Sequence, residues 1–141
     1  NLANRYGADR FIRRNDATLR LVGPNAAIER SVGVGALDLL DRNDGRIDLV
    51  GRARLRTTEN FENTGDILLD DGGRFVVTGG KEFVQSGGTL TLDGGVLRAG
   101  KISIEGGKVR GEGILRGGTV ALAGKGVLEP DSAAEGIGVL E

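Results

Sequence analysis

The sequence predicts an all-β fold, a parallel β-helix (β-solenoid) with coils of about 20 residues. The first reason is a short recurring segment in which a polar residue is followed by one or two glycines and an alternating apolar run. The second is its spacing, because successive copies start 20, 22, 20 and 20 residues apart. The third is the presence of 26 glycines in 141 residues without a collagen period. The recurring segments start near Asn43, Asn63, Gln85, Glu105 and Lys125.

The apolar residues within each unit alternate with period 2, which indicates strands and not helices. Pairs of glycines separate the runs, so each unit reads as two or three short strands joined by tight turns. One unit is too small to bury its own apolar face, whereas stacked units share a continuous core. An antiparallel sandwich is the alternative fold, but it gives no reason for a 20-residue period. The alternating pairs are Ile67 and Leu69, Phe75 and Val77, Leu90 and Leu92, Ile102 and Ile104, and Val120 and Leu122.

The chain divides into an irregular N-terminal arm or cap at residues 1–18 and a solenoid at residues 19–141, regular from residue 43. Residues 25–42 follow Pro24 and form either a coil with a degenerate pattern or a coil that includes a short helix at Asn25–Ser31. In the arm, Arg10, Phe11, Arg13 and Arg14 form a basic cluster. This cluster either caps the first coil or docks on a neighbouring molecule.

The two ends of the predicted rod differ in charge. Residues 1–60 hold 11 Arg and 8 acids, a net charge of +3, and residues 61–141 hold 8 Lys and Arg against 12 acids, a net charge of −4. The last segment contains Gly136, Ile137, Val139 and Leu140, alternates again, and ends without a polar cap. Because terminal coils expose backbone and apolar side chains, we expect a further segment or another molecule to cover this end. Head-to-tail self-association is therefore predicted. A gradual change in amino-acid composition from repeat to repeat is the alternative explanation of the charge difference.

Asn43, Asn63 and Gln85 recur at the same place in successive units. If they stack at one turn, their amides can hydrogen bond along the rod axis. We predict that this row stabilises the fold.

Composition limits the chemistry that this chain can perform. It contains no His and no Cys, which removes Ser-His-Asp and Cys-His nucleophile systems and most zinc sites. We predict no enzyme activity, no cofactor and no metal. The net charge of −1 argues against nucleic-acid binding. The sequence contains no run of 18 apolar residues, so we predict no membrane span.

Two groups of charged residues are candidate binding sites. Asp70 and Asp71, with Asp41, Asp44 and Asp48, could bind calcium or act as a hydrolytic pair, but acids in glycine-rich turns usually serve the turn itself. The calcium β-roll motif is absent. Arg52, Arg54 and Arg56 alternate along one predicted strand. They form either a surface ladder with acids on adjacent coils or a groove for sulfated or uronic polysaccharides.

The second half of the chain resembles the repeats of bacterial surface and secreted glycine-rich β-helix proteins, such as autotransporter passenger domains and filamentous adhesins. The similar motifs are Phe61-Glu-Asn-Thr-Gly65, Gly73-Arg-Phe75, Phe83-Val-Gln-Ser-Gly-Gly-Thr89, Gly106 to Gly113, and Val127 to Gly136. The closing turn departs from this pattern, since Asp131 replaces a glycine and a second proline is missing.

The resemblance implies a right-handed β-helix outside the cell. A non-enzymatic structural or adhesive element is favoured, a cell-surface or matrix fibre subunit that assembles head to tail, because the chain lacks His, Cys and Trp, its last strand has no polar cap, and its two ends differ in charge. The alternative function is a polysaccharide-binding or polysaccharide-degrading β-helix, and a surface glycan is accordingly the second candidate partner.

Overall fold

The computed structural model describes residues 11–31, 34–130 and 139–140, which form strands and turns without a helix. The strands in chain order are β1 (Arg14–Asn15), β2 (Thr18–Val22), β3 (Glu29–Ser31), β4 (Val34–Gly35), β5 (Arg42–Asn43), β6 (Arg46–Val50), β7 (Arg54–Thr57), β8 (Phe61–Asn63), β9 (Asp66–Asp70), β10 (Arg74–Val77), β11 (Glu82–Gln85), β12 (Thr89–Arg98), β13 (Lys101–Ile104), β14 (Lys108–Arg116), β15 (Thr119–Leu122), β16 (Val127–Pro130) and β17 (Val139–Leu140).

The strands stack in parallel on three faces, which confirms the predicted β-solenoid. Face A is a six-stranded sheet, and face B is the main path of a nine-stranded sheet. Face C contains β7, β10, the second halves of β12 and β14, and β17. One strand from each face makes one level of the stack, called a rung below. The order is β1-β5-β8-β11-β13-β15 on face A and β2-β6-β9-β12-β14-β16 on face B.

Faces B and C are continuous through β12 and β14, which turn the corner without a break in the strand. The register of β12 shifts at Asp93 and the following glycines, and Gly94 has a φ of 80°. A bulge of this kind bends a strand and re-aims its side chains. The alternating pattern of a single long strand is thereby divided between two faces.

The core lies inside the three faces and consists of the apolar side chains that point inward from the strands. At its centre the rings of Phe61 and Phe83 stack with their centroids 5.6 Å apart, and Phe75 meets Phe61 edge-on at 4.7 Å. All three phenylalanines are buried. Ile67, Leu69, Leu90, Leu92, Ile102 and Ile104 are also buried.

Glycines form a column at the corner between faces A and B, and we call it the glycine corner. A methyl group on Gly65 would overlap the carbonyl oxygen of Gly45, and one on Gly88 would overlap that of Gly65. The first rung has Ala17 at this position, and a methyl group on Gly45 would overlap its backbone. Glycine is therefore required wherever another rung lies directly beneath the turn.

The first coil is longer than the others. The side chains of Asn15 and Asn43 bond across 28 residues, whereas those of Asn43 and Asn63 bond across 20. The additional residues form the antiparallel pair β3–β4, so the helix considered at Asn25–Ser31 is wrong. Leu37 and Leu40, which follow this pair, are buried and join the core.

Both boundaries of the solenoid differ from the sequence prediction. Strand β1 lies within the stretch assigned to the arm and pairs with β5, so the stack reaches back to Arg14. At the other end Val120 is half-buried, and Leu122 is 56% exposed although its pattern predicted a core position. Leu122 aligns with buried Ile104, but β15 is the last strand of face A among the described residues.

Candidate functional site

A row of buried amides runs along the stack axis beside the glycine corner. The Nδ2 of Asn43 donates to Oδ1 of Asn63 at 2.8 Å, and the Nδ2 of Asn63 donates to Oε1 of Gln85 at 2.8 Å. All three side chains are fully buried. Asn63 also donates to the carbonyl of Gly65 at 3.0 Å, and Gln85 donates to that of Gly87 at 2.6 Å. Each amide thus closes its own turn, and Asn43 and Asn63 also bind the next rung.

Sequence reasoning missed the first member of this row, Asn15. Its Nδ2 donates to Oδ1 of Asn43 at 2.8 Å and to the carbonyl of Ala17 at 2.9 Å. The available signal was Asn15-Asp-Ala17, which matches Asn43-Asp-Gly45 except for alanine in place of glycine. We call Asn15, Asn43, Asn63 and Gln85 the amide row. Beyond Gln85 the same position is occupied by Ile104 and Leu122.

The two ends of the stack carry the exposed large apolar side chains of the described residues. At the first rung and its hairpin these are Ile12, Val22 and Ile28, and at the last rung they are Leu122 and Val127. Their exposed fractions range from 38% for Ile28 to 57% for Val22. Within the described part of the chain, no strand pairs with the outer edges of β1, β2, β15 or β16. Both ends therefore combine open strand edges with apolar surface.

The predicted assembly residues are divided between these ends and the stretches outside the described residues. Arg10, Gly136 and Ile137 lie outside the described residues. Val139 and Leu140 form β17, which pairs with Ile114 and Leu115 at the last rung of face C. Phe11, Arg13 and Arg14 lead into the first rung, where the amide of Ile12 donates to the carbonyl of Ala36 at 2.8 Å.

A charge network crosses the first three rungs on face A. Asp44 accepts from Nε of Arg42 at 2.9 Å and lies 2.8 Å from Nε of Arg14. Arg42 also donates to Glu62 at 2.9 Å, and the hydroxyl of Thr64 donates to Asp44. The hydrogen bond from Arg42 is the main reason that the pKa of Asp44 lies below its usual value, followed by the bond from Thr64. Hydrogen bonds to Asp16 and Asp44 raise the pKa values of Arg14 and Arg42, respectively.

We expect Asp44→Asn to destabilise the protein at neutral pH and to matter progressively less in acid. A carboxylate whose folded pKa is lowered stabilises the fold above its unfolded pKa of about 3.9, and this contribution is lost as the pH falls through the folded pKa. Urea unfolding at neutral pH and near pH 2 measures the difference. Glu105→Gln is the control, because Glu105 is exposed and has no ion pair among the described residues. An Asp44→Asn penalty that stays constant with pH would contradict this account.

The predicted acidic sites separate in the structure. Asp48 is buried on face B, where it accepts from Nε of Arg46 at 2.8 Å and lies 3.7 Å from Arg20. Asp70 ends β9, and Asp71 occupies the following turn with a φ of 49°. No group of three or more His, Cys, Asp or Glu side chains among the described residues is arranged to hold a metal ion. In the same residues no helix is long and apolar enough to cross a membrane.

Arginines are concentrated on the outer side of face C. Arg54 and Arg56 point outward from β7 while Ala53 and Leu55 are buried, as the alternation predicts. Arg52 lies in the turn before β7 with a φ of 67° and not in the strand. The next strand places Arg74 beside Arg54 and Val76 beside Arg56. The coil that follows β7 therefore supplies no acid to a surface ladder with Arg54 and Arg56.

Comparison with known proteins adds no identification. No protein-family model matches the sequence, and no curated protein or solved structure matches it either.

Proposed function

We propose that this chain is a non-enzymatic structural element of a fibre on the cell surface or in the extracellular matrix. Copies add head to tail, with the last rung of one copy against the first rung of the next. The observation that carries the proposal is the location of exposed large apolar side chains, which within the described residues occur at the stack ends and nowhere along the regular middle rungs. Apolar surface beside an open strand edge favours association.

The mechanism is β-augmentation, in which a strand of one molecule extends a sheet of another. On face A this places β15 of one copy beside β1 of the next and covers Leu122, which is 56% exposed. Face B extends in the same way through β16 and β2. The net charges of +3 in residues 1–60 and −4 in residues 61–141 favour contact between unlike ends.

Ala17 constrains the joint between copies. In the regular rungs, a methyl group added to the glycine at this corner would lie against the backbone of the preceding rung. The methyl group of Ala17 occupies this space, so an added copy cannot approach the glycine corner as closely as an internal rung does. We expect the strands of the two copies to pair on faces A and B, and the gap between the copies to stay wider at the glycine corner.

We predict that Leu122→Lys prevents assembly without loss of the fold. Leu122 is mostly exposed in the single chain, and a charge directed inward on an edge strand opposes pairing with another strand. The measurement is negative-stain electron microscopy together with sedimentation velocity across a concentration series. Wild type is expected to form unbranched filaments, and Leu122→Lys is expected to remain monomeric.

Val84→Lys is the matched control for this experiment. Val84 points outward from β11 in the middle of face A, beside Glu62 in the preceding rung. The same substitution there adds the same charge away from both ends, so filaments are expected to persist. A monomeric wild type at all concentrations, or filaments of Leu122→Lys, would overturn the proposal.

A further inference from the structure

We propose that the outer side of face C binds a linear anionic polysaccharide that carries carboxylate or sulfate groups. The site, called the arginine face, consists of Arg52, Arg54, Arg56, Arg74 and Arg98. It lies on a flank between the two ends, so it is independent of the end-to-end assembly proposed above.

The first observation is that these arginines have no partners in the part of the chain that the structure describes. All five side chains are exposed. Among the described residues, none of them makes an ion pair or a side-chain hydrogen bond, whereas Arg20, Arg42 and Arg46 on the other faces do. The guanidinium groups of the arginine face are therefore available to a ligand.

The second observation is the register of charges between adjacent strands. On faces A and B, several neighbouring charges are opposite and form ion pairs, as in Arg42 with Glu62, Arg20 with Asp48, and Lys101 with Glu82. On face C, Arg54 lies directly beside Arg74. Like charges on strands about 4.8 Å apart destabilise a sheet. Among the described residues neither arginine has an ion pair that offsets this cost, and a bound polyanion would remove it.

The third observation is the shape of the surface. Arg52, Arg54 and Arg74, with Pro24 and Gly72, line a concavity of about 630 Å³. Arg52, which lines this concavity, has a left-handed backbone conformation that is uncommon for arginine. From there the arginines continue along the stack, because Val76 joins Arg56 to Arg98 in register. The result is an extended track that begins in a groove.

The chemistry of the track selects the ligand. Guanidinium groups bind carboxylate and sulfate oxygens through paired hydrogen bonds, and their repetition along the axis suits a polymer with regularly repeated anions. Half-buried Val76, Val96 and Ile114 lie between and beyond the arginines and offer apolar contact to the C–H faces of sugar rings. Among the described residues the face has no aromatic side chain, since Phe61, Phe75 and Phe83 are buried. Nucleobases therefore find no stacking platform, which favours polysaccharide over nucleic acid.

The test compares binding of four probes to the full chain by isothermal titration calorimetry at low salt. The probes are heparin for sulfate groups, alginate for carboxylate groups, neutral dextran, and single-stranded DNA. We expect heparin, alginate or both to bind, dextran not to bind, and affinity to fall as salt increases. The variant Arg54→Gln/Arg74→Gln is expected to lose at least tenfold in affinity for the bound polysaccharide.

Two controls keep this test specific. Arg110→Gln/Lys125→Gln removes the same charge from exposed residues outside face C, and we expect less than a twofold change in affinity. Without ligand, Arg54→Gln/Arg74→Gln is expected to melt at a higher temperature than wild type, because the like-charge contact is gone. Polysaccharide should raise the melting temperature of wild type and leave that of this variant nearly unchanged.

Three results would overturn the proposal. One is the absence of binding to both anionic polysaccharides, and another is an equal loss of affinity in the two double variants. The third is tighter binding of DNA than of either polysaccharide, which would assign the arginine face to nucleic acid. None of these results depends on whether the protein forms filaments.

Discussion

Gly65→Ala is expected to lower the free energy of unfolding by at least about 3 kcal/mol, at the upper end of the range for overpacking. A methyl group on Gly65 would overlap the carbonyl oxygen of Gly45 in the preceding rung. Both atoms belong to backbones fixed by strand pairing, so no flexible side chain can move aside. Relief requires the rungs to separate at the glycine corner, which weakens pairing on faces A and B. Equilibrium urea unfolding measures the loss.

Gly87→Ala provides a control for this steric argument. A methyl group there would lie 3.4 Å from the carbonyl oxygen of Thr64, which is ordinary contact, and Gly87 does not have a positive φ. We expect a change of less than about 1 kcal/mol, as at surface positions without special features. Similar effects of Gly65→Ala and Gly87→Ala would show that the glycine corner is not set by close approach of the backbones.

Asn63→Leu is expected to cost about 3 kcal/mol because it breaks the amide row in its middle. The substitution removes one acceptor of Asn43, which keeps its bond to the carbonyl of Asp66 at 3.1 Å. It also removes the donor to Oε1 of Gln85, a buried atom with no other donor among the described residues. Each buried polar group left without a partner costs about 1–3 kcal/mol. Thermal and urea unfolding, monitored by circular dichroism, would measure this loss.

Gln85→Leu is the matched comparison, because Gln85 is the last member of the row. The position above it in the stack is already apolar, since Ile104 lies in register with Gln85 and is buried. A leucine at 85 leaves the Nδ2 of Asn63 its second bond, to the carbonyl of Gly65. We expect less than half the penalty of Asn63→Leu. Equal penalties would mean that the row acts through packing and not through linked hydrogen bonds.

The fold and much of the amide row could be predicted because both follow from local sequence patterns. A period near 20 residues and alternation of apolar residues are properties of the chain itself, and each regular coil repeats them. Asn43, Asn63 and Gln85 begin successive copies of the recurring segment, so their alignment follows from the repeat. Asn15 was missed because the first coil is longer and has Ala17 in the place of glycine.

The charged surfaces could not be predicted in the same way. Pairing between rungs depends on the length of each turn and on the face that receives each residue. Arg54 lies beside Arg74 and not beside an acid, and the nearby Asp48 in the sequence belongs to face B. Alternation gives the direction of a side chain relative to its own strand, but it does not give its neighbour in the next coil.

The sequence by itself therefore determined a stacked all-β architecture, its coil length and its inward residues, because period and alternation are local. Only the tertiary structure decided how the long first coil is accommodated in the β3–β4 pair, where β12 bends between faces, and which charges meet across rungs. It also decided that Leu122, apolar and alternating like the core residues, is exposed at an end of the described stack. Burial requires a following rung, and a pattern within one coil cannot specify whether that rung is present.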